Sequence, residues 1–134
     1  MNNPEPPIPT ETELALLNVL WAAGPSTVRE VQSILKKTRK SGYTTVLKLL
    51  QIMTQKKLVT RDESNHAHVY RANCSQKKVQ KRLLDDLLKK AFGGSQVQLA
   101  STLFDSHDLS RSEFEVLRNE IMELRKEEGN KQNK

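Results

Sequence analysis

The chain has one cysteine, Cys74. A single thiol excludes an intramolecular disulfide and points to a reducing compartment. No apolar run approaches the ~18 residues needed to cross a bilayer, so membrane insertion is not expected. The opening MNNPEPPIPTETE has neither a basic n-region nor an apolar h-region, which argues against a secretory signal. These absences lead to the expectation of a cytoplasmic protein. The sequence also lacks internal repeats and a Gly-rich phosphate loop.

Acidic residues are absent from one long segment. KKTRKSGYTTVLKLLQIMTQKKLVTR, residues 36–61, carries eight basic side chains and no Asp or Glu. The whole chain has 134 residues, 28% of them charged, and a net charge of +6. Residues 1–76 contribute ten Lys/Arg against six Asp/Glu, and residues 77–134 twelve against ten. A local cationic surplus of this kind is the footprint of an anionic partner.

What is present reads as short helices with clear starts. Residues 1–9 are rich in Pro and Asn and suggest a loose arm. Thr10 with Glu13 and Thr27 with Glu30 form capping boxes, each followed by apolar residues at helical spacing. Gly24-Pro25 separates the two. Ser41-Gly42 opens a third helix, with Val46, Leu49, Leu50 and Met53 on the buried face. Thr44, Lys48, Gln51 and Gln55 share the opposite face, flanked by Leu47 and Ile52. In LVTRDESNHAHVYRA, 58–60 and 67–70 are β-prone around a turn-rich DESNH, which predicts a hairpin. Three helices followed by a hairpin is the order of a winged helix-turn-helix.

The pattern changes after residue 76. KKVQKRLLDDLLKKAF is amphipathic, Gly93-Gly94 interrupts it, and SQVQLASTLF resumes helical spacing. Ser110 and Glu113 form another capping box. Phe114, Leu117, Ile121 and Leu124 then recur at spacings of three, four and three, a short a/d seam. The closing KEEGNKQNK is polar and expected to fray. Such narrow apolar stripes cannot make a core alone, which predicts burial against a second copy.

The outward face of the third helix suits a DNA major groove. Gln pairs with adenine and Lys donates to guanine, while Thr methyls approach thymine. Thr44, Thr45, Lys48, Gln51 and Gln55 are the expected base-reading set. Lys36, Lys37, Arg39, Lys40, Tyr43, Lys56, Lys57, Arg61 and His66 are the expected backbone set, since phosphate contacts position a protein on DNA. The bland alternative is a solvated amphipathic surface on a winged-helix interaction module that binds no specific DNA sequence.

Several stretches resemble the penicillinase repressor family, bacterial regulators of β-lactamase and methicillin-resistance genes. TETELALLNVLWAAGPSTVREV (10–31) is similar to the family's opening. GYTTVLKLLQIMTQKKLV (42–59) resembles its recognition helix and first wing strand, and HVYRA (68–72) its second. AFGGSQVQL (91–99) resembles the segment after its DNA-binding domain. The resemblance implies a mainly α fold with a small β-wing: a winged helix-turn-helix domain (10–75) after the arm (1–9), and a C-terminal helical dimerisation domain (76–134). It implies a homodimeric repressor on a dyad-symmetric double-stranded operator. Thr45 and Val46 match the family's Thr-Val, and Lys48 falls at a groove-facing position. Leu47 and Ile52 stand where many members carry basic residues, so the operator read differs.

The family's β-lactam-responsive members are cleaved near an Asn-Phe bond after a membrane sensor-protease signals. The nearest match here is STLFD (101–105), centred on Leu103 and Phe104, without the Asn, so either the cleavage site differs or this member answers another signal. The copper-responsive relatives' cysteine cluster is absent. The dimerisation surface is expected from Leu84, Leu87, Leu88, Phe92, Leu99, Leu103, Phe104, Phe114, Leu117, Ile121 and Leu124.

Other chemistry is weaker. His66 and His68, at i and i+2 on one strand face, could join Cys74 as metal ligands. A wing tip facing solvent or phosphate is the simpler reading, and no metal or cofactor is expected. FDSHDLS holds Ser, His and Asp, but adjacency is not triad geometry. His107 reads as part of a helix-flanking loop. Nothing suggests an enzyme.

Overall fold

Capping boxes start three of the helices in this computed structural model, which describes residues 6–106 and 108–132. The expectations for residues 1–5, for the His107 loop and for the last two residues lie outside the described residues. α1 (Glu11–Ala23) begins where the Thr10 hydroxyl accepts from the Glu13 amide at 3.2 Å and the Glu13 carboxylate accepts from the Thr10 amide at 2.9 Å. α2 (Val28–Leu35) repeats the device with Thr27 and Glu30 at 3.1 and 3.2 Å. Each box satisfies two amides that a helix leaves unpaired. α1 stops at Gly24, whose φ of 82° is open to glycine.

α3 (Tyr43–Gln55) buries Val46, Leu50 and Met53, spaced four and three residues apart on one stripe. α1, α2 and α3 pack on one another and enclose Leu16, Leu17, Leu20, Val31 and Leu35 with that stripe. Each such side chain contributes about 1.5–3 kcal/mol on burial.

The wing has three strands. β2 (Val59–Asp62) pairs antiparallel with β3 (Val69–Ala72), close to the expected hairpin but one to two residues further on. β1 (Ser26–Thr27) pairs with the other edge of β3, giving the order β1-β3-β2. Val59 and Tyr70 turn inward and close the core over the three helices.

α4 (Gln76–Phe92) follows, with Val79 its buried anchor. The chain divides into two compact units, Met1–Asp86 and Leu87–Lys134, and the division falls within α4. In the first unit the arm is tethered rather than loose at residues 6–9. Pro9 is buried, and the Pro6 carbonyl accepts from the Arg82 guanidinium. The Trp21 indole donates to the Cys74 carbonyl at 2.9 Å, tying α1 to the segment that leads into α4.

The second unit contains the end of α4, α5 (Gln96–Ser106) and α6 (Arg111–Gln132). Gly93 and Gly94, at φ 55° and 84°, take the left-handed turn after α4. Ser110 and Glu113 cap α6 reciprocally at 3.2 and 3.3 Å. α6 continues through Gln132, so residues 126–132 of the polar tail expected to fray are helical. Its charged side chains keep helix propensity even without an apolar face.

Candidate nucleic-acid interface

α3 reaches the surface because its buried stripe is narrow. With Val46, Leu50 and Met53 turned inward, Thr44, Thr45, Lys48, Gln51 and Gln55 are all exposed. Leu47 and Ile52 lie half-buried between the two faces, as the wheel predicts. The face thus offers an ammonium, two carboxamides and two hydroxyls along one helix, the donor and acceptor types that read base edges.

The start of α3 differs from the starts of α1, α2 and α6. Its N-cap is Gly42, with no side-chain hydrogen bond, so the first-turn amides keep open donors. Leading into it, Lys36, Lys37 and Lys40 are exposed and Arg39 is half-buried. Two consecutive turns shape this approach: the Thr38 and Arg39 amides both donate to the Leu35 carbonyl, at 3.0 and 2.8 Å. Cations beside open helix-terminal amides favour an anion such as a phosphate.

The cationic stretch is not wholly uncompensated, and two of its members are engaged. Lys56 donates to the Glu13 carboxylate at 2.9 Å, turning inward toward α1 rather than outward to a phosphate. Glu13 is only 2% exposed. Burial opposes its ionisation, but hydrogen bonds from Thr10 and Lys56, with the Lys56 charge, outweigh it and hold the carboxyl below its ordinary value. Arg61 pairs with Glu63, two residues on at the start of the wing turn, and lies beside the Tyr70 hydroxyl, which is buried and makes no well-formed hydrogen bond. The acids come from outside residues 36–61, so the stretch read alone could not reveal them.

Lys57 is exposed and adopts φ 66°, the left-handed position after α3. The Leu58 amide donates to Met53 at 2.9 Å and the Lys57 amide to Thr54 at 3.1 Å, a Schellman closure with lysine where glycine is preferred. On the wing, Asp62 accepts from the Ser64 hydroxyl and amide at 2.7 and 2.9 Å, which orders the turn that presents His66 and His68, both exposed. Those bonds hold the Asp62 carboxyl below its usual range.

Cys74 is half-buried, and its Sγ lies 3.6 Å from the Leu58 carbonyl. Burial pushes the thiol up, against the weaker pull of Arg82, which disfavours the reactive thiolate. Among the described residues no three His, Cys, Asp or Glu side chains are grouped to hold a metal. No helix among them is long and apolar enough to cross a membrane.

In the second unit, Leu84 at its approach and Leu87, Leu103, Phe104, Phe114, Leu117, Ile121 and Leu124 within it are exposed. Leu88, Phe92 and Leu99 are half-buried. Leu103 and Phe104 sit inside α5. Val116 and Met122, also exposed on α6, were not among the expected contacts. They fall outside the a/d spacing on which that expectation was built.

Arg29, on the first turn of α2, was missed too. Its guanidinium carbon lies 5.5 Å from the centroid of the Tyr43 ring. It is the only Lys or Arg in residues 1–35, so no charge run marked it.

A helix with an exposed polar face, a charged approach and a wing on one small domain define a class, the winged-helix DNA-binding regulators. The model of the penicillinase repressor family matches residues 9–123. The transcriptional regulator BlaI of Mycobacterium tuberculosis, strain H37Rv, is 30% identical over 122 residues, covering 90% of this chain and 88% of that protein. The CDC 1551 strain's BlaI matches with the same figures. Among solved structures, the solution structure of the Bacillus licheniformis BlaI monomeric form in complex with the blaP half-operator is similar, with 22% identity and a TM-score of 0.48 over 55% of this chain and 89% of that one. A MarR family protein from Bacillus stearothermophilus has 22% identity and a TM-score of 0.48 over 90% of this chain and 76% of its own. The chain belongs to the penicillinase repressor family and is a DNA-binding transcriptional repressor.

Proposed function

We propose that the repressor acts in the cytoplasm as a homodimer on a dyad-symmetric operator, without catalytic activity, reading base edges with the Lys48 and Gln51 side of α3. The carrying observation is that this side is exposed while Val46, Leu50 and Met53 hold the opposite stripe in the core. Thr44, Thr45 and Gln55 extend the reading face. Lys36, Lys37, Arg39, Lys40, Tyr43, Lys57 and His66 meet the phosphates, whereas Lys56 is held by Glu13 and Arg61 by Glu63, and both leave that set.

Dimerisation uses the exposed apolar side chains of α6 with those of α4 and α5. The described residues from 87 onward include no fully buried side chain, so this unit has no core of its own to take up its apolar stripes. A second copy supplies cover and sets two reading helices about 34 Å apart, or a multiple of that, on the DNA. Relief of repression is by cleavage near Leu103 and Phe104, signalled by a membrane sensor-protease. Both residues are exposed, but the bond lies within α5, so the last turns of that helix must open before a protease can take the strand.

The test compares operator and random duplex binding for Lys48→Ala by titration at fixed salt. The expected loss is about 1–3 kcal/mol of discrimination, confined to operator DNA. An equal loss on both duplexes makes Lys48 a phosphate contact. A wild-type chain that retards no genomic fragment at low salt would end the DNA reading in favour of an interaction module.

A further inference from the structure

We infer that the recess between the first turn of α2 and the wing is a socket for one phosphate of the DNA backbone, with Arg29 supplying its charge; the inference rests on the DNA-binding reading above. The recess has a volume of about 290 Å³. Thr27 and Arg29 come to it from the start of α2, Tyr43 and Leu47 from α3, and His66 and His68 from the wing turn. None of its lining residues is acidic. A liquid water occupies about 30 Å³, so the space admits a phosphate oxygen cluster with part of its hydration.

Three features select an anion. Arg29 lies over the Tyr43 ring, a contact that restrains a long side chain in advance of binding. Its sequence neighbour Glu30 is occupied in the capping box with Thr27 and turned to the helix end. Guanidinium and imidazole donors converging from two elements match a phosphate's several acceptor oxygens.

Position selects DNA as the source. Leu47 lines the recess, and Lys48 follows it on the exposed face. A strand running past the reading face therefore passes the mouth of the socket, and a phosphate seated there fixes the register in which Lys48 and Gln51 meet bases. The socket lies on the wing side of α3, whereas Lys36 and Lys40 line a separate hollow at its N-terminal approach. Two phosphate grips would then bracket one helix.

The experiment uses the full chain and a retained genomic duplex, measured from low to moderate salt. Arg29→Gln should flatten the plot of log affinity against log salt by about 0.9 per protomer. The affinity loss should be equal on operator and random DNA. Arg29→Lys should restore the slope, and His66→Gln with His68→Gln provides a second variant on exposed wing positions. A scan with single neutral methylphosphonates should find one position per half-site that weakens the wild type about two- to five-fold and leaves Arg29→Gln unaffected. An unchanged slope with no such position overturns the socket while DNA binding stands. Displacement of wild-type DNA by inorganic phosphate at fixed ionic strength, without a methylphosphonate effect, overturns the assignment to DNA. No retardation of any DNA by the wild type removes the underlying reading and the socket with it.

Discussion

Glu13→Gln removes the charge and the acceptor that fasten α1 to the end of α3. The two groups lie 43 residues apart, and the pair links the first turn of α1 to the C-cap of α3. Gln keeps the shape and its oxygen can still accept from the Thr10 amide, but it then turns an NH2 donor toward the Lys56 ammonium, so the hydrogen bond is lost with the charge. A hydrogen bond to a charged partner contributes about 1.5–3 kcal/mol. The Lys56 side chain is 36% exposed, so water screens the pair, and about 1–1.5 kcal/mol at pH 7 is the reasonable expectation. Glu13→Ala removes the cap acceptor as well, adding about 1 kcal/mol. The pH dependence has a defined sign. The folded carboxyl titrates below its ordinary value, while in the unfolded chain it titrates near about 4.3. As pH falls the unfolded state takes up a proton first, so the stabilisation is complete above about pH 5. It is lost as pH drops through the unfolded and then the folded value. Urea unfolding at fixed protein concentration, at pH 7 and pH 4, should show the gap between wild type and Glu13→Gln closing on acidification. A gap of the same size at both pH values, or none at pH 7, would refute the argument that the carboxylate charge holds these helices together.

Lys57→Gly should raise stability by about 0.5 kcal/mol, because a left-handed lysine costs about 1 kcal/mol and glycine's unfolded-state freedom returns part of the gain. The melting temperature should rise by roughly 2–4 °C by calorimetry, while the same variant should bind DNA more weakly through loss of the proposed phosphate contact. Lys57→Ala, still left-handed, should not stabilise. A chain ending at Asp86 keeps Val79 and the Arg82 bond to Pro6, and should fold as a monomer that binds DNA weakly. Ending at Gln76 removes both and should cost about 1.5–2 kcal/mol more for the lost valine burial alone, read by urea unfolding. Dimerisation of the Asp86 chain in sedimentation equilibrium would relocate the proposed interface.

Local chemistry was legible and distant pairing was not. The boxes at Thr10, Thr27 and Ser110 need only partners three residues on, so sequence spacing sufficed to start three helices. The stripe of Val46, Leu50 and Met53 likewise announced which face of α3 stays out. β1 escaped because Ser26-Thr27 is too short to alternate, and its strand character comes from pairing with Val69 and Tyr70. Glu13 read as a cap but not as an anchor for Lys56, and Arg29 read as nothing. In each case the partner arrives only through the fold. Lys57 shows a different limit: a lysine in a glycine's conformation follows from how α3 must turn into β2, which no propensity records.

The missing core of the second unit bears on how repression could be both tight and reversible. On the proposed reading one α3 offers few base contacts, so a single domain would bind a half-site weakly. On the proposed reading, joining two domains through α6 makes the second binding event intramolecular, and avidity can exceed either affinity by about 10²–10⁴ without any new DNA contact. Cleavage near Phe104 would separate Phe114, Leu117, Ile121 and Leu124 from the reading domain. It would leave the core around Leu16, Leu50 and Tyr70 intact, since all of these lie within Met1–Asp86. The cut protein would still fold and still touch DNA, yet lose the factor that linkage supplied. Repression would end through valency rather than through damage to the reading face, and the separation of an apolar seam from a self-sufficient head is what makes that route available.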